Sequence, residues 1–290
     1  MFKRHWQRAL AFLDRLRREI AYDDCMGMAA QIAYYMMLSF VPFLIFLLSI
    51  ISQLPLGQDL QTQLFDAFRE QMPRDAGDYV VDTVMGILPT RSREVTLASA
   101  AISLWGASMA IGAMITTINR AYNLRPRRNM LVQKLMSIAL LLVLAAILLL
   151  AMVITLLGRQ VTQGVFEYLQ LASESNTFWT TMRLPIAALL AFGAVTILYF
   201  FAPEARQRFI HILPGSITAM VFWLLASYGF RLFVENFGSY NATYGSLAAV
   251  VILLAYFWLT GFIFLVGAEI NALMKRLDAA EDQSLFRPLR

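Results

Sequence analysis

Five polar residues sit where this chain is otherwise most apolar: Gln31, Asn119, Arg120, Glu269 and Asn271. Each edges or interrupts a long hydrophobic run. A charge held there costs about 3 kcal/mol or more unless it is paired or hydrated. Glu269 lies four residues before the end of the last run and Arg120 closes the second, so the two charges are complementary. Arg120 facing Glu269, flanked by Asn119 and Asn271, would make a latch or a site for an anionic headgroup. The other reading is unrelated side chains reaching out to the interface. A second polar set, Gln31, Tyr34, Tyr35, Ser39 and Pro42, falls in the first run. Pro42 removes a backbone hydrogen bond and is expected to kink a helix near Leu38; kinks of this kind line transport paths and also occur in ordinary packing. Tyr240, Tyr244 and Gly245 form a short turn before the last run and either border the same path or belong to an interfacial aromatic belt. Arg231 and Glu235 are spaced as a local helical ion pair.

Catalytic chemistry finds little support. The two histidines, His5 and His211, have no partner at metal-ligand spacing. There is no phosphate-binding G-x-x-x-x-G-K-[ST] loop, so the chain is not expected to drive itself with ATP, and no G-x-S-x-G elbow. The acids of the apolar runs are not expected to pair with one another. No catalytic residue, metal or cofactor is therefore assigned. Cys25 is the one cysteine and is expected to be a free thiol.

The elements that must hold these residues are membrane spans. Hydrophobic residues make up 59% of the chain and charged ones 15%, with mean hydropathy +0.61, a balance that excludes an ordinary soluble domain. A span needs about 20 apolar residues. Six stretches qualify: 29–53, 95–118, 135–158, 184–202, 212–234 and 246–273. The expected fold is all-α, a six-helix membrane bundle. Residues 1–28 form a cytoplasmic amphipathic segment, 29–274 the membrane domain and 275–290 a cytoplasmic tail. No cleavable signal peptide is expected, since the first 28 residues are charged throughout. Lysine and arginine fill alternate gaps, 17 on the side of both termini against 6 opposite, with Arg231 inside the fifth run. The positive-inside rule then places both termini in the cytoplasm. The five polar residues of the opening fall at that cytoplasmic level. The net charge of +5 fits an anionic lipid leaflet rather than nucleic acid.

Individual runs carry further expectations. Phe2, Trp6, Leu10, Leu13, Leu16 and Ile20 recur at helical spacing among basic residues, which describes an amphipathic helix lying in the inner interface or packed on the protein's own loops. The outer segment 54–94 has two apolar helical faces separated by Pro73 and Gly77; an ordered extracytoplasmic hairpin is expected, as lid or as cap. Gln160–Leu171 reads as a smaller third piece. The second run is rich in small residues, with Ala98, Ile102, Gly106 and Ala110 in one stripe and Ser99, Ser103 and Ala107 beside it. It is expected at the centre of the bundle. The leucine-rich third run is expected at the periphery.

Three stretches carry a family resemblance: Ala33-Tyr34-Tyr35-Met36-Met37-Leu38-Ser39-Phe40-Val41-Pro42, Asn119-Arg120-Ala121-Tyr122, and Tyr240-Asn241-Ala242-Thr243-Tyr244-Gly245-Ser246-Leu247-Ala248-Ala249-Val250 with Gly267-Ala268-Glu269-Ile270-Asn271. His211-Ile212-Leu213-Pro214-Gly215 adds a Pro-Gly entry to the fifth run. With six spans and a basic start, the chain resembles the YihY/BrkB family of bacterial inner-membrane proteins. Members have carried the name ribonuclease BN, which the missing metal ligands argue against here; others are linked to the cell envelope and to lipid export. The resemblance implies an inner-membrane protein that handles envelope components. The expected function is a transporter or flippase-like protein for an anionic phospholipid or other amphiphilic anion. The alternatives are an ion- or proton-coupled antiporter in which Glu269 titrates, and a non-transporting scaffold that docks envelope proteins through its outer loop.

Overall fold

A computed structural model describes residues 2–51, 93–124, 128–168, 172–205, 207–236 and 246–285. The expected outer hairpin, and Tyr240, Tyr244 and Gly245, lie outside the described residues, as does the side chain of Glu235. Among the described residues all regular structure is helical: α1 (Phe2–Tyr22), α2 (Cys25–Ile51), α3 (Arg93–Ala121), α4 (Met130–Tyr168), α5 (Ala172–Phe201), α6 (Phe209–Asn236) and α7 (Ser246–Leu285). Helices α2 to α7 each contain a stretch long and apolar enough to cross a membrane, one for each expected run. The fold class is the expected one.

Two helices run on beyond the expected spans. Residues 160–168 are the continuation of α4, whose 39 residues measure about 58 Å at 1.5 Å per residue, well beyond a hydrocarbon core of about 30 Å. Helix α7 likewise runs through the expected tail boundary at 275 to Leu285. Residues 275–285 hold neither proline nor glycine, and the single Gly164 of 160–168 is carried inside the helix.

Successive helices α2 to α7 pack side by side, and α7 returns to α2, so the six spans close a ring, with α3 also touching α7. Helix α3 is the most enclosed, with 56% of its span window buried against 17% for α4, as small and leucine-rich compositions respectively require. The buried stripe of α3 is Ser99, Ser103, Gly106 and Ala110; Ala98 and Ile102, expected in it, face outward. At Gly106 an added Cβ would stand 3.0 Å from the Ser39 Cβ, so Ser39 serves the α2–α3 crossing. Its hydroxyl donates to the Met36 carbonyl at 3.0 Å. Ser103, Ser108, Thr117, Thr196 and Ser216 also donate to carbonyls of their own helices, which is how hydroxyls are tolerated in an apolar bundle.

Helix α1 ends at Asp23-Asp24. Asp24 has φ 50, a left-handed conformation that Asp tolerates better than most residues. Its Oδ1 accepts the Gly27 N–H at 3.2 Å, capping α2. The apolar stripe of α1 divides: Leu16 is buried and Ile20 packs on the core, while Leu10 and Leu13 are exposed. The second half of α1 therefore lies on the protein, against α7 and α2.

Candidate functional site

The end of the bundle that carries α1 also gathers the α3–α4 and α5–α6 connections and the last turns of α7. Helix α3 stops in a Schellman turn: Leu124 N–H donates to the Asn119 carbonyl at 2.9 Å and Asn123 N–H to the Arg120 carbonyl at 2.7 Å, with Asn123 at φ 54. The Asn-Arg-Ala-Tyr stretch is thus the last turn of this helix. The turn leaves the Ala121 carbonyl free, and Arg276 of α7 donates to it at 3.0 Å. The same guanidinium holds Glu19 Oε1 of α1 at 3.0 Å. One side chain thereby ties together α1, α3 and α7.

Glu269 lies seven residues before Arg276, two turns back on the same face of α7. It is fully buried. The Cys25 thiol, first residue of α2, donates to its Oε1 at 3.7 Å. Asp23, only 7% exposed, turns its carboxyl onto that of Glu269 within hydrogen-bonding reach. Glu19, Asp23 and Glu269 each bring one oxygen within 4.8 Å of the others. Burial raises the Asp23 carboxyl above its ordinary 3.8; the hydrogen bond with Glu269 opposes this, Glu19 adds to it, and Arg276 and Arg120 pull it back. Burial, then the charge of Glu269, pushes the Tyr122 phenol up as well.

The residues expected at this level are here, with different partners. Asn119, 5% exposed, accepts the Glu204 N–H at 2.8 Å, and Glu204 in turn accepts the Arg128 N–H at 3.2 Å. Asn271 accepts the Gly215 N–H of α6 at 2.7 Å. Asn119 and Asn271 thus fasten the connection after α5 and the start of α6. Arg120 is not paired with Glu269. It is exposed, with its guanidinium 4.0 Å from the Met28 sulfur. The cation at the acids is Arg276, and two acids from outside the apolar runs, Glu19 and Asp23, join Glu269 there. Glu19, Asp23, Cys25 and Arg276 were missed because the first three lie in the basic N-terminal segment and the last in the tail; the seven-residue step from Glu269 to Arg276 was the available signal. Asn119→Ala takes the acceptor from the partly buried Glu204 N–H and is expected to lower stability by about 1 kcal/mol. Thermal unfolding of the purified protein in detergent measures it, and an unchanged midpoint would contradict that role.

On the other flank of α3 lies an open groove of about 510 Å³ between α2, α3 and α4. Arg120, Gln31 and Tyr35 line it, with Gln31 Nε2 donating to Tyr35 Oη at 3.4 Å. Tyr34 is exposed and meets Tyr35 edge to face. Pro42 lies farther along α2, inside the helix. The deep residue is Lys134, in the second turn of α4. Its ammonium donates to Ser108 Oγ at 2.6 Å and stands 4.2 Å from the centre of the Trp105 ring. Ser108 is twelve residues before Arg120, about 18 Å along α3. A membrane lysine ordinarily extends toward water; Lys134 extends away from the basic end into the apolar zone. Among the described residues no carboxylate pairs with it. In the sequence Lys134 counted only as one of the basic residues between two runs, since direction along a helix is invisible there.

A ring of six apolar helices with a cationic groove on its flank and acids packed at one end defines a multi-pass membrane protein. The chain belongs to the family described as virulence factor BrkB, which it matches over residues 16–288. It is 26% identical over 277 residues to a ribonuclease-like protein, YfkH, of Bacillus subtilis (strain 168), covering 96% of this chain and 100% of that one. It is 28% identical to a UPF0761 membrane protein of Vibrio campbellii, covering 91% of this chain and 82% of that one. A UPF0761 membrane protein of Photobacterium profundum is 26% identical, over 92% of this chain and 81% of that one. No solved structure matches. The ribonuclease-like wording belongs to the Bacillus protein.

Proposed function

We propose that this protein carries an amphiphilic anion, a lipid with a phosphate-bearing headgroup, across the bacterial inner membrane, with both termini in the cytoplasm. The observation that supports this is Lys134: an ammonium turned into the apolar zone, with no carboxylate partner among the described residues, in a groove that is open on the bundle surface. A headgroup entering from the basic end meets Arg120 first and Lys134 deeper in, with Gln31 and Tyr35 on the opposite wall. Ser108, the hydroxyl that holds Lys134, lies about 18 Å along α3 from Arg120. Exposed Leu131, Leu135 and Trp105 leave an apolar rim for acyl chains. The ammonium's present contacts, a hydroxyl and an aromatic face, are weak enough to yield to phosphate.

Reconstituted into liposomes, the protein is expected to move fluorescent phosphatidylglycerol between leaflets faster than empty vesicles, and faster than it moves phosphatidylcholine. Lys134→Gln, which keeps length and hydrogen bonding, is expected to lower the rate at least about tenfold, the factor for a charge-assisted contact of roughly 1.4 kcal/mol or more. Equal rates with and without protein would end the proposal. Equal rates for wild type and Lys134→Gln would remove the groove from it. Coupling to an ion, the second reading, draws its support from the packed acids of α1 and α7.

A further inference from the structure

The lipid groove leaves the three carboxylates unexplained. Glu19, Asp23 and Glu269 come from α1, the α1–α2 junction and α7, and their closest oxygens span no more than 4.8 Å. Two observations separate this from an ordinary acidic patch. First, Glu269 is fully buried and Asp23 nearly so. Second, Glu269 Oε2 and Asp23 Oδ2 are both buried and neither has a hydrogen-bond partner among the described residues. Two carboxylates turned onto each other without water repel strongly unless a positive species lies between them.

The surrounding groups do not supply it. Arg276 is committed to Glu19 Oε1 and the Ala121 carbonyl. Arg15 reaches Glu19 from the half-exposed side at 3.8 Å, and Arg120 faces the groove. Asp24 adds a further acid nearby, engaged in capping α2. From α2 the Cys25 thiol donates to the other oxygen of Glu269, and from the end of α3 comes the Tyr122 phenol, whose buried oxygen has no partner. With all three carboxylates ionised, the Arg276 guanidinium at 3.0 Å from Glu19 leaves two negative charges, to be offset by a cation or by a proton shared between Asp23 and Glu269.

We propose that Glu19, Asp23 and Glu269 bind one divalent cation of the class that prefers oxygen ligands, such as magnesium, calcium or manganese. Carboxylate oxygens at about 2.1–2.5 Å from such an ion stand up to about 5 Å apart across it, and the three oxygens lie within 4.8 Å of one another. An all-oxygen set selects this class over thiophilic metals. The ion cancels the residual charge and joins α1 and the start of α2 to α7. It is independent of the lipid proposal, because none of the three carboxylates lines the groove.

The test uses the full chain in a neutral detergent, stripped with EDTA. Titrated with manganese and followed by electron paramagnetic resonance, wild type is expected to bind one ion per chain, displaced by magnesium or calcium but not by sodium. The same ions should raise its unfolding midpoint. Glu269→Gln and Asp23→Asn are each expected to weaken binding at least about tenfold, as loss of a metal's direct or supporting ligand does. Wild type that binds no manganese, or binds it as tightly in both variants, overturns the proposal. So does a midpoint that ignores divalent ions and only rises as pH falls: a buried acid whose affinity for protons is raised on folding is stabilising at low pH and loses that contribution as pH climbs. That result would assign a shared proton instead.

Discussion

Gly215→Ala is expected to destabilise the bundle by about 3 kcal/mol, at the upper end for overpacking, because the new methyl group meets the backbone of α7 and a side chain fixed by a hydrogen bond. A Cβ at this position would overlap the Gly267 carbonyl oxygen and stand 2.5 Å from Asn271 Cγ. The first obstacle belongs to helix α7 itself and cannot rotate away. The second is the side chain that accepts the Gly215 N–H, so moving it breaks a buried hydrogen bond as well. Helices α6 and α7 would have to separate, and in a membrane the close contact that small residues permit is most of what holds such a pair. The crossing is reciprocal: a Cβ on Gly267 would stand 2.8 Å from both Ala219 Cβ and the Gly215 carbonyl oxygen, so Gly267→Ala should fail in the same way. Gly193 and Gly229 supply the control. Each sits in a helix with nothing within 4 Å of an added Cβ, and alanine there should stabilise by up to about 1 kcal/mol through helix propensity. Thermal unfolding in detergent compares the four variants. A Gly215→Ala protein as stable as Gly193→Ala would mean that the helices do not approach as described.

Arg276→Ala is expected to cost about 3 kcal/mol, the low end for breaking a buried ion pair, since its side chain is 25% exposed and that of Glu19 19%. The loss has two parts. Glu19 is left beside Asp23 and Glu269 without its closest cation, and the Ala121 carbonyl, set free by the turn that ends α3, loses its donor. Arg276→Lys should restore only part, because one ammonium does not span both acceptors as the planar guanidinium does. Adding Glu19→Gln to Arg276→Ala removes one of the crowded charges, and the double variant should lose at least about 1 kcal/mol less than the two single losses summed. A strictly additive pair would show that the contact carries no coupling. The measurement belongs at moderate and high salt, since a contact this enclosed should be only weakly screened.

Most of the fold was legible. Six apolar runs became six spans, the small-residue run became the enclosed helix, and the amphipathic start became a helix, because apolar length and periodicity are local properties that the backbone must obey wherever it lies. Helix ends were less legible. Residues 160–168 and 275–285 continue α4 and α7 beyond the expected spans, since polarity alone does not stop a helix. The candidate site was half legible. Glu269, Asn271, Asn119 and Arg120 were singled out as polar groups at one depth, and depth follows from position along a span. Which of them meet does not. Arg120 and Glu269 share a level, yet Arg120 points from α3 into the groove toward Met28, whereas the far face of that helix end receives Arg276.

By itself the sequence determined that this is a helical membrane protein with six spans, which residues lie near each end, and on which side the basic residues collect. Hydrophobicity and the helical rise settle those matters one segment at a time. Only the tertiary structure decided that Glu19, Asp23 and Glu269 converge, that Arg276 rather than Arg120 answers them, and that Lys134 turns into the apolar zone. Those outcomes depend on the rotation of each helix about its axis and on which neighbour it packs against. They are set by side chains from α1, α2, α3, α4 and α7 together, by contacts such as the Gly215–Gly267 crossing, and by no single stretch of the chain.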